Sequence, residues 1–120
     1  DTDYATFFAD TDGPAHADCE FDGQTYHDIW YDYIATCNQN LTVSTCKQAT
    51  YDTDLVVYDG CACPVSDENL LACDDDAGGD CDFTSEVTVP VTNGNCYKIR
   101  VGGWNEFSEG TGTLTVTCGL

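Results

Sequence analysis

The chain has 120 residues, with 22 Asp plus Glu against three Lys plus Arg and a formal charge of -19. A polyanion of this density is repelled by nucleic-acid phosphates and anionic membrane surfaces, which excludes both as partners and leaves cations as the natural ones. With 42% apolar and 12% aromatic residues it carries enough hydrophobic surface for a core, so it is no acidic disordered tail, and its length suits a single domain over residues 1–120.

Residues 1–12, DTDYATFFADTD, place Thr2, Tyr4, Thr6 and Phe8 on one parity and Phe7 and Ala9 on the other, the pattern of a strand. The stretch 13–24 reads as a loop marked by Gly13-Pro14 and Gly23. His16 within it, and His27 beyond it, read as hydrogen-bonded structural residues. From Tyr26 to Thr36, Ile29, Tyr31, Tyr33 and Ala35 fall on one face and Asp28, Trp30, Asp32 and Ile34 on the other, which predicts an amphipathic strand. The β-branched run Asn40 to Cys46 predicts the next strand. The two together suggest a hairpin around Asn38-Gln39-Asn40, with Cys37 and Cys46 on adjacent antiparallel strands and within disulfide reach.

The acidic centre of the chain is Tyr51 to Asp82. Its apolar run Leu55-Val56-Val57-Tyr58 is flanked by Asp52, Asp54 and Asp59, and a second cluster follows at Asp74, Asp75, Asp76, Asp80 and Asp82. Clustered carboxylates oppose folding unless a cation bridges them, and calcium accepts roughly six to eight oxygens in flexible geometry. The expectation is a loop stapled by calcium and by disulfides; the alternative is a solvated acidic surface.

Farther along, Val87, Val89 and Val91 alternate up to a turn at Thr92-Asn93-Gly94. In the strand Cys96 to Val101, Tyr97, Ile99 and Val101 point inward, and Lys98 and Arg100 are expected to share an exposed face. After a loop at Gly102-Gly103-Trp104-Asn105, Leu114, Val116 and Cys118 alternate with Thr113, Thr115 and Thr117. Seven or eight short strands, turns at Gly, Asn and Asp, and no helical periodicity predict an all-β, disulfide-rich antiparallel β-sandwich of jelly-roll type.

Nine cysteines in so short a chain indicate an oxidising compartment, outside the cell or on its surface. Zinc is the weaker reading, since Cys61-x-Cys63 has no matching second pair and neither histidine stands at ligand spacing. The expected pairings are Cys37 with Cys46 and Cys96 with Cys118. Cys61, Cys63, Cys73 and Cys81 are expected to pair among themselves in an open order, which leaves Cys19 over. Neither a signal peptide nor a membrane span is recognisable, and a start at Asp1 suits a processed secreted protein or an excised module.

Five stretches in order carry a family resemblance: Asp28-Ile29-Trp30-Tyr31, Asp54 to Gly60, Leu71-Ala72-Cys73-Asp74-Asp75, Tyr97 to Gly103, and Gly112 to Val116. They resemble the bacterial pre-peptidase C-terminal-like domains, and look closest to the cysteine-rich version in secreted and surface proteins of planctomycete-like bacteria, over about Gly13 to Cys118. The resemblance implies a non-catalytic jelly-roll-like sandwich, often calcium-binding, with adhesive or associative roles in extracellular proteins. On this sequence the metal would fall to Asp52, Asp54, Asp59, Asp74, Asp75 and Asp76. Such domains usually carry a further cysteine-containing segment ahead of the position of Asp1, so an edge strand and a disulfide partner are expected to be missing.

Two function classes follow. In the first, preferred, the chain is a structural, self-associating surface or filament subunit. Residues 1–12 would then supply a strand to the groove of a neighbouring copy, where otherwise they pair within their own domain. In the second it is a calcium-dependent accessory module for carbohydrate or protein. Trp30 and Trp104 are either core residues or a sugar-stacking platform. Asn40-Leu41-Thr42 is a sequon that makes Asn40 a glycosylation candidate. No nucleophile-elbow context surrounds any serine and the cysteines read as oxidised, so no enzyme is expected.

Overall fold

A computed structural model describes residues 2–6, 15–16, 23–108 and 110–119, the first stretch by its backbone. Eight strands follow one another as β1 (Thr2–Thr6), β2 (Tyr26–Ile34), β3 (Asn40–Ser44), β4 (Thr53–Asp59), β5 (Leu70–Asp74), β6 (Glu86–Pro90), β7 (Cys96–Gly103) and β8 (Gly112–Cys118). They form two antiparallel four-stranded sheets, β1-β8-β3-β6 and β2-β7-β4-β5. The β-sandwich expected from the sequence is what the chain builds. Among the described residues helix is confined to single 3-10 turns at Asp67–Asn69 and Gly79–Cys81, and no helix is long and apolar enough to cross a membrane.

Period-two side-chain alternation produces the core between the sheets. The first sheet contributes Leu41, Val43, Val87, Val89, Leu114 and Val116, and the second contributes Tyr33, Leu55, Val57, Tyr97, Ile99 and Val101, all buried. Register fixes these faces: Val43 lies opposite both Val87 and Val116, and Leu55 and Val57 lie opposite Val101 and Ile99. The outward neighbours on the first sheet are polar, and Thr42 meets Thr88 at 3.3 Å there.

Three expectations are corrected by this topology. β2 and β3 form no hairpin, because they belong to different sheets and the residues between them cross the sandwich. Among the described strands, only β4 and β5 are neighbours both in sequence and in a sheet. The pairing of Cys37 with Cys46 fails for the same reason. The chain joins Cys37 to Cys118, Cys46 to Cys81 and Cys61 to Cys96, so Cys96 does not meet Cys118 and the four central cysteines do not pair among themselves. Cys63 is a free, exposed thiol. Cys73 is also disulfide-bonded, and Cys19 lies outside the described residues. Finally, β1 pairs antiparallel with β8 of its own chain, Thr2 opposite Val116 through Thr6 opposite Gly112. A strand held at home is not available to a neighbour, which removes the donor expected of residues 1–12; the remainder of that segment lies outside the described residues.

Burial of β7 is the fourth correction. Lys98 and Arg100 do not share an exposed face: both are buried, Arg100 completely. Register sets Trp30, Val56 and Arg100 side by side on the outer face of the second sheet, and Gln24 and Thr25 cover them. The Arg100 guanidinium donates to Asp28 Oδ2 and Gln24 Oε1, both at 2.5 Å, and to the Thr25 carbonyl at 3.2 Å. Its carbon stands 4.9 Å from the centre of the Trp30 ring, which in turn stacks on Tyr58. Lys98 Nζ meets Asp32 at 2.6 Å, and that hydrogen bond raises the ammonium's pKa above the ordinary 10.5.

Candidate functional site

At one end of the sandwich three loops converge: the β3–β4 loop before Asp52, the β5–β6 loop after Asp74, and the β7–β8 loop that begins at Trp104. A buried chain of hydroxyls ties the first two. Thr45 Oγ1 meets Thr53 Oγ1 at 2.8 Å, Thr53 Oγ1 meets Ser85 Oγ at 2.9 Å, and Ser85 Oγ donates to the Asp75 carbonyl at 2.6 Å. The Cys46–Cys81 disulfide clamps the same two loops covalently. The third loop folds back on β7 at Gly103, where a Cβ would stand 1.9 Å from the Ser108 carbonyl oxygen, so glycine is required. Trp104 is anchored through its backbone N–H to the Asp52 carbonyl.

These loops border an open cavity of about 240 Å³ lined by Asp52, Asp75, Asp76, Phe83 and Trp104. Each of the three aspartates offers a carboxylate oxygen within 4.8 Å of the others. Asp75 is buried, and Oδ1 of Asp52 and Oδ1 of Asp76 are shielded from solvent without a hydrogen-bond partner among the described residues. Burial, and then the charges of Asp75 and Asp76, push the Asp52 carboxyl from its ordinary 3.8 up to about 8. Three such oxygens can share a proton or a cation, and hard carboxylate donors at this spacing suit calcium.

A pH dependence follows for the calcium-free chain. The folded-state pKa of Asp52 is raised, so its contribution to stability is fully present below the unfolded value near 3.8 and is lost as pH rises through about 8. Thermal denaturation in a chelator should therefore give a melting temperature that falls between pH 5 and pH 9. A flat or rising profile would contradict this environment for Asp52.

The other expected metal ligands stand elsewhere. Asp54 is buried on the outer face, where Oδ2 accepts from Thr25 Oγ1 at 2.8 Å. Asp74 Oδ2 accepts the Glu86 N–H at 2.9 Å. Asp59 ends β4, seven residues from Asp52 and so about 23 Å away in extended chain. The separation follows the strand ends: Asp52, Asp75 and Asp76 lie in loops just outside β4 and β5, whereas Asp54, Asp59 and Asp74 lie within those strands. Asp80 and Asp82 are exposed, with Asp80 4.0 Å from Lys47. The sequon residue Asn40 is exposed, opposite Pro90.

Of the two tryptophans, Trp104 lines the cavity, whereas Trp30 is committed to Arg100 and Tyr58. The sequence reading missed Phe83, which is 59% exposed; a lone aromatic in an acidic, glycine-containing loop is the signal that could have found it. Nothing catalytic emerges from His16. Its Nε2 lies 2.9 Å from Thr25 Oγ1, and Thr25 uses its own proton on Asp54, so the imidazole donates to the hydroxyl instead of activating it. All three residues are buried.

The comparison with curated proteins and the comparison with solved structures return no match. The likeness to pre-peptidase C-terminal-like domains holds only at the level of a β-sandwich-like family. The family whose model matches, over residues 2–116, is a T9SS-associated one described as "Galactose binding domain-like". The chain belongs to this galactose-binding-domain-like, T9SS-associated family.

Proposed function

We propose that the chain is a non-catalytic accessory module of an extracellular or surface protein that binds carbohydrate in the cavity between Trp104 and Phe83, with calcium held by Asp52, Asp75 and Asp76. The observation that carries this reading is the juxtaposition of three carboxylates with two aromatic side chains in one cavity. Aromatic faces suit the C–H faces of sugar rings, and carboxylates, with or without a bound cation, accept hydrogen bonds from or orient sugar hydroxyls. The description of the family, which names a galactose-binding domain, supports the ligand class. Its T9SS association and the disulfides seen among the described residues are consistent with a location outside the cell. Calcium bound there would also relieve the mutual repulsion of the three aspartates.

Two measurements test this. Saturating calcium should raise the melting temperature of the chelated protein by on the order of 10 °C, the effect of a ligand at about a hundred times its Kd on a domain this size. Asp76→Asn should remove most of that increment. Galactose should bind in isothermal titration with calcium present, and Trp104→Ala should abolish the heat. A melting curve indifferent to EDTA disposes of the cation, and an absence of binding across a neutral glycan array disposes of the carbohydrate.

A further inference from the structure

Beyond Phe83 and Asp52 lies a second cavity, of about 400 Å³, whose walls include Lys47, Thr50, Tyr51, Asp80, Asp82 and Thr84. Phe83 and Asp52 line this cavity and the Trp104 cavity alike. The two therefore adjoin, with Phe83, 59% exposed, as the ridge between them. The first cavity alone falls below the roughly 300 Å³ at which small-molecule sites begin, and the two together fall within the usual range. A ligand that fills both must be elongated and must cross an aromatic ridge.

The charge distribution narrows its chemistry. Of the three Lys plus Arg in the chain, Lys98 and Arg100 are buried against Asp32 and Asp28, and Lys47 alone reaches solvent. The joined cleft thus presents Asp52, Asp75, Asp76, Asp80 and Asp82 against that single ammonium, itself 4.0 Å from Asp80. A calcium ion on Asp52, Asp75 and Asp76 offsets their charge, but Asp80 and Asp82 still outnumber Lys47 in the second cavity of a chain with formal charge -19, so a uronate, sulfate or phosphate sugar laid there faces a field of its own sign. Neutral hydroxyls, by contrast, find many acceptors among carboxylates that offer only lone pairs.

Resting on the carbohydrate reading above, we infer that the site takes an extended neutral glycan chain, with one sugar in the Trp104 cavity and the next units laid across Phe83 into the cavity beside Asp82. A single sugar in the Trp104 cavity would leave the larger, second cavity unfilled.

Titration at fixed calcium with galactose, a linear neutral galactotetraose and a galacturonate tetramer tests this. The neutral tetramer should bind at least about tenfold more tightly than galactose, which is about 1.4 kcal/mol, and the galacturonate tetramer more weakly than the neutral one. Asp82→Gly suits the left-handed backbone there, φ 53°, and removes only a carboxylate of the second cavity. It should reduce the tetramer's advantage and leave galactose affinity unchanged, whereas Phe83→Ala should weaken both. Equal affinity for galactose and the tetramer, or preference for the galacturonate, overturns the extended neutral site while carbohydrate binding stands. Failure of every neutral glycan, short or long, removes the carbohydrate reading itself.

Discussion

Replacing Asp28 with alanine is expected to destabilise the chain by about 3–5 kcal/mol, the cost of leaving a buried charge without its partner. Arg100 is wholly buried and Asp28 is 5% exposed. The guanidinium retains Gln24 Oε1, the Thr25 carbonyl and the Trp30 ring in the variant, but these are neutral acceptors and none replaces the lost counter-charge. For a domain this size the loss corresponds to a fall of about 10–20 °C in melting temperature. The double variant Asp28→Ala/Arg100→Met should recover much of it, because replacement of both charges by apolar groups avoids the desolvation penalty. A single-variant loss below about 1 kcal/mol would show that water reaches Arg100. The pair also decides how the outer face of the second sheet is covered, since Arg100 is the group that holds Gln24 and Thr25 down upon β7.

That cover explains what the sequence could and could not disclose. Strands were legible wherever one face met the core and the other met water: β6 alternates buried Val87 and Val89 with exposed Glu86, Thr88 and Pro90, and its place was evident. β7 alternates Tyr97, Ile99 and Val101 with Lys98 and Arg100 in the same way, and the natural reading of those cations as exposed failed because the outer face is covered as well. β5, with Cys73 and Asp74 in a run of five residues, lacks an apolar alternation and entered only through family likeness. Connectivity was the least legible feature. Short links between β2 and β3, and between β6 and β7, look like hairpin turns in sequence, yet each crosses from one sheet to the other. The acidic centre was recognised as a site, but which of its carboxylates meet depends on which loop ends lie together. Asp52, Asp75 and Asp76 meet because Thr53 and Ser85, two buried hydroxyls with no sequence signature, draw their loops together.

The longest covalent loop gives the other large effect. Cys37 stands just beyond β2 and Cys118 ends β8, so their disulfide, spanning 81 residues, ties one sheet to the other. Constraint of the unfolded chain by a loop of that length is worth about 4.5 kcal/mol in the chain-entropy account, against about 3.8 kcal/mol for each of the two bridges spanning 35 residues. Cys37→Ala/Cys118→Ala should therefore cost about 4 kcal/mol in denaturant unfolding, a large share of the stability of an ordinary domain. Its effect on the cleft should be small, because neither cysteine belongs to the three loops that form it. Cys46→Ala/Cys81→Ala should do the reverse in proportion: it should cost somewhat less stability and weaken glycan binding, because the clamp between the β3–β4 and β5–β6 loops is gone. Alkylation of the unreduced wild-type protein should label one thiol, at Cys63. A Cys37–Cys118 variant as stable as the wild type, or several thiols labelled before reduction, would refute this disulfide framework.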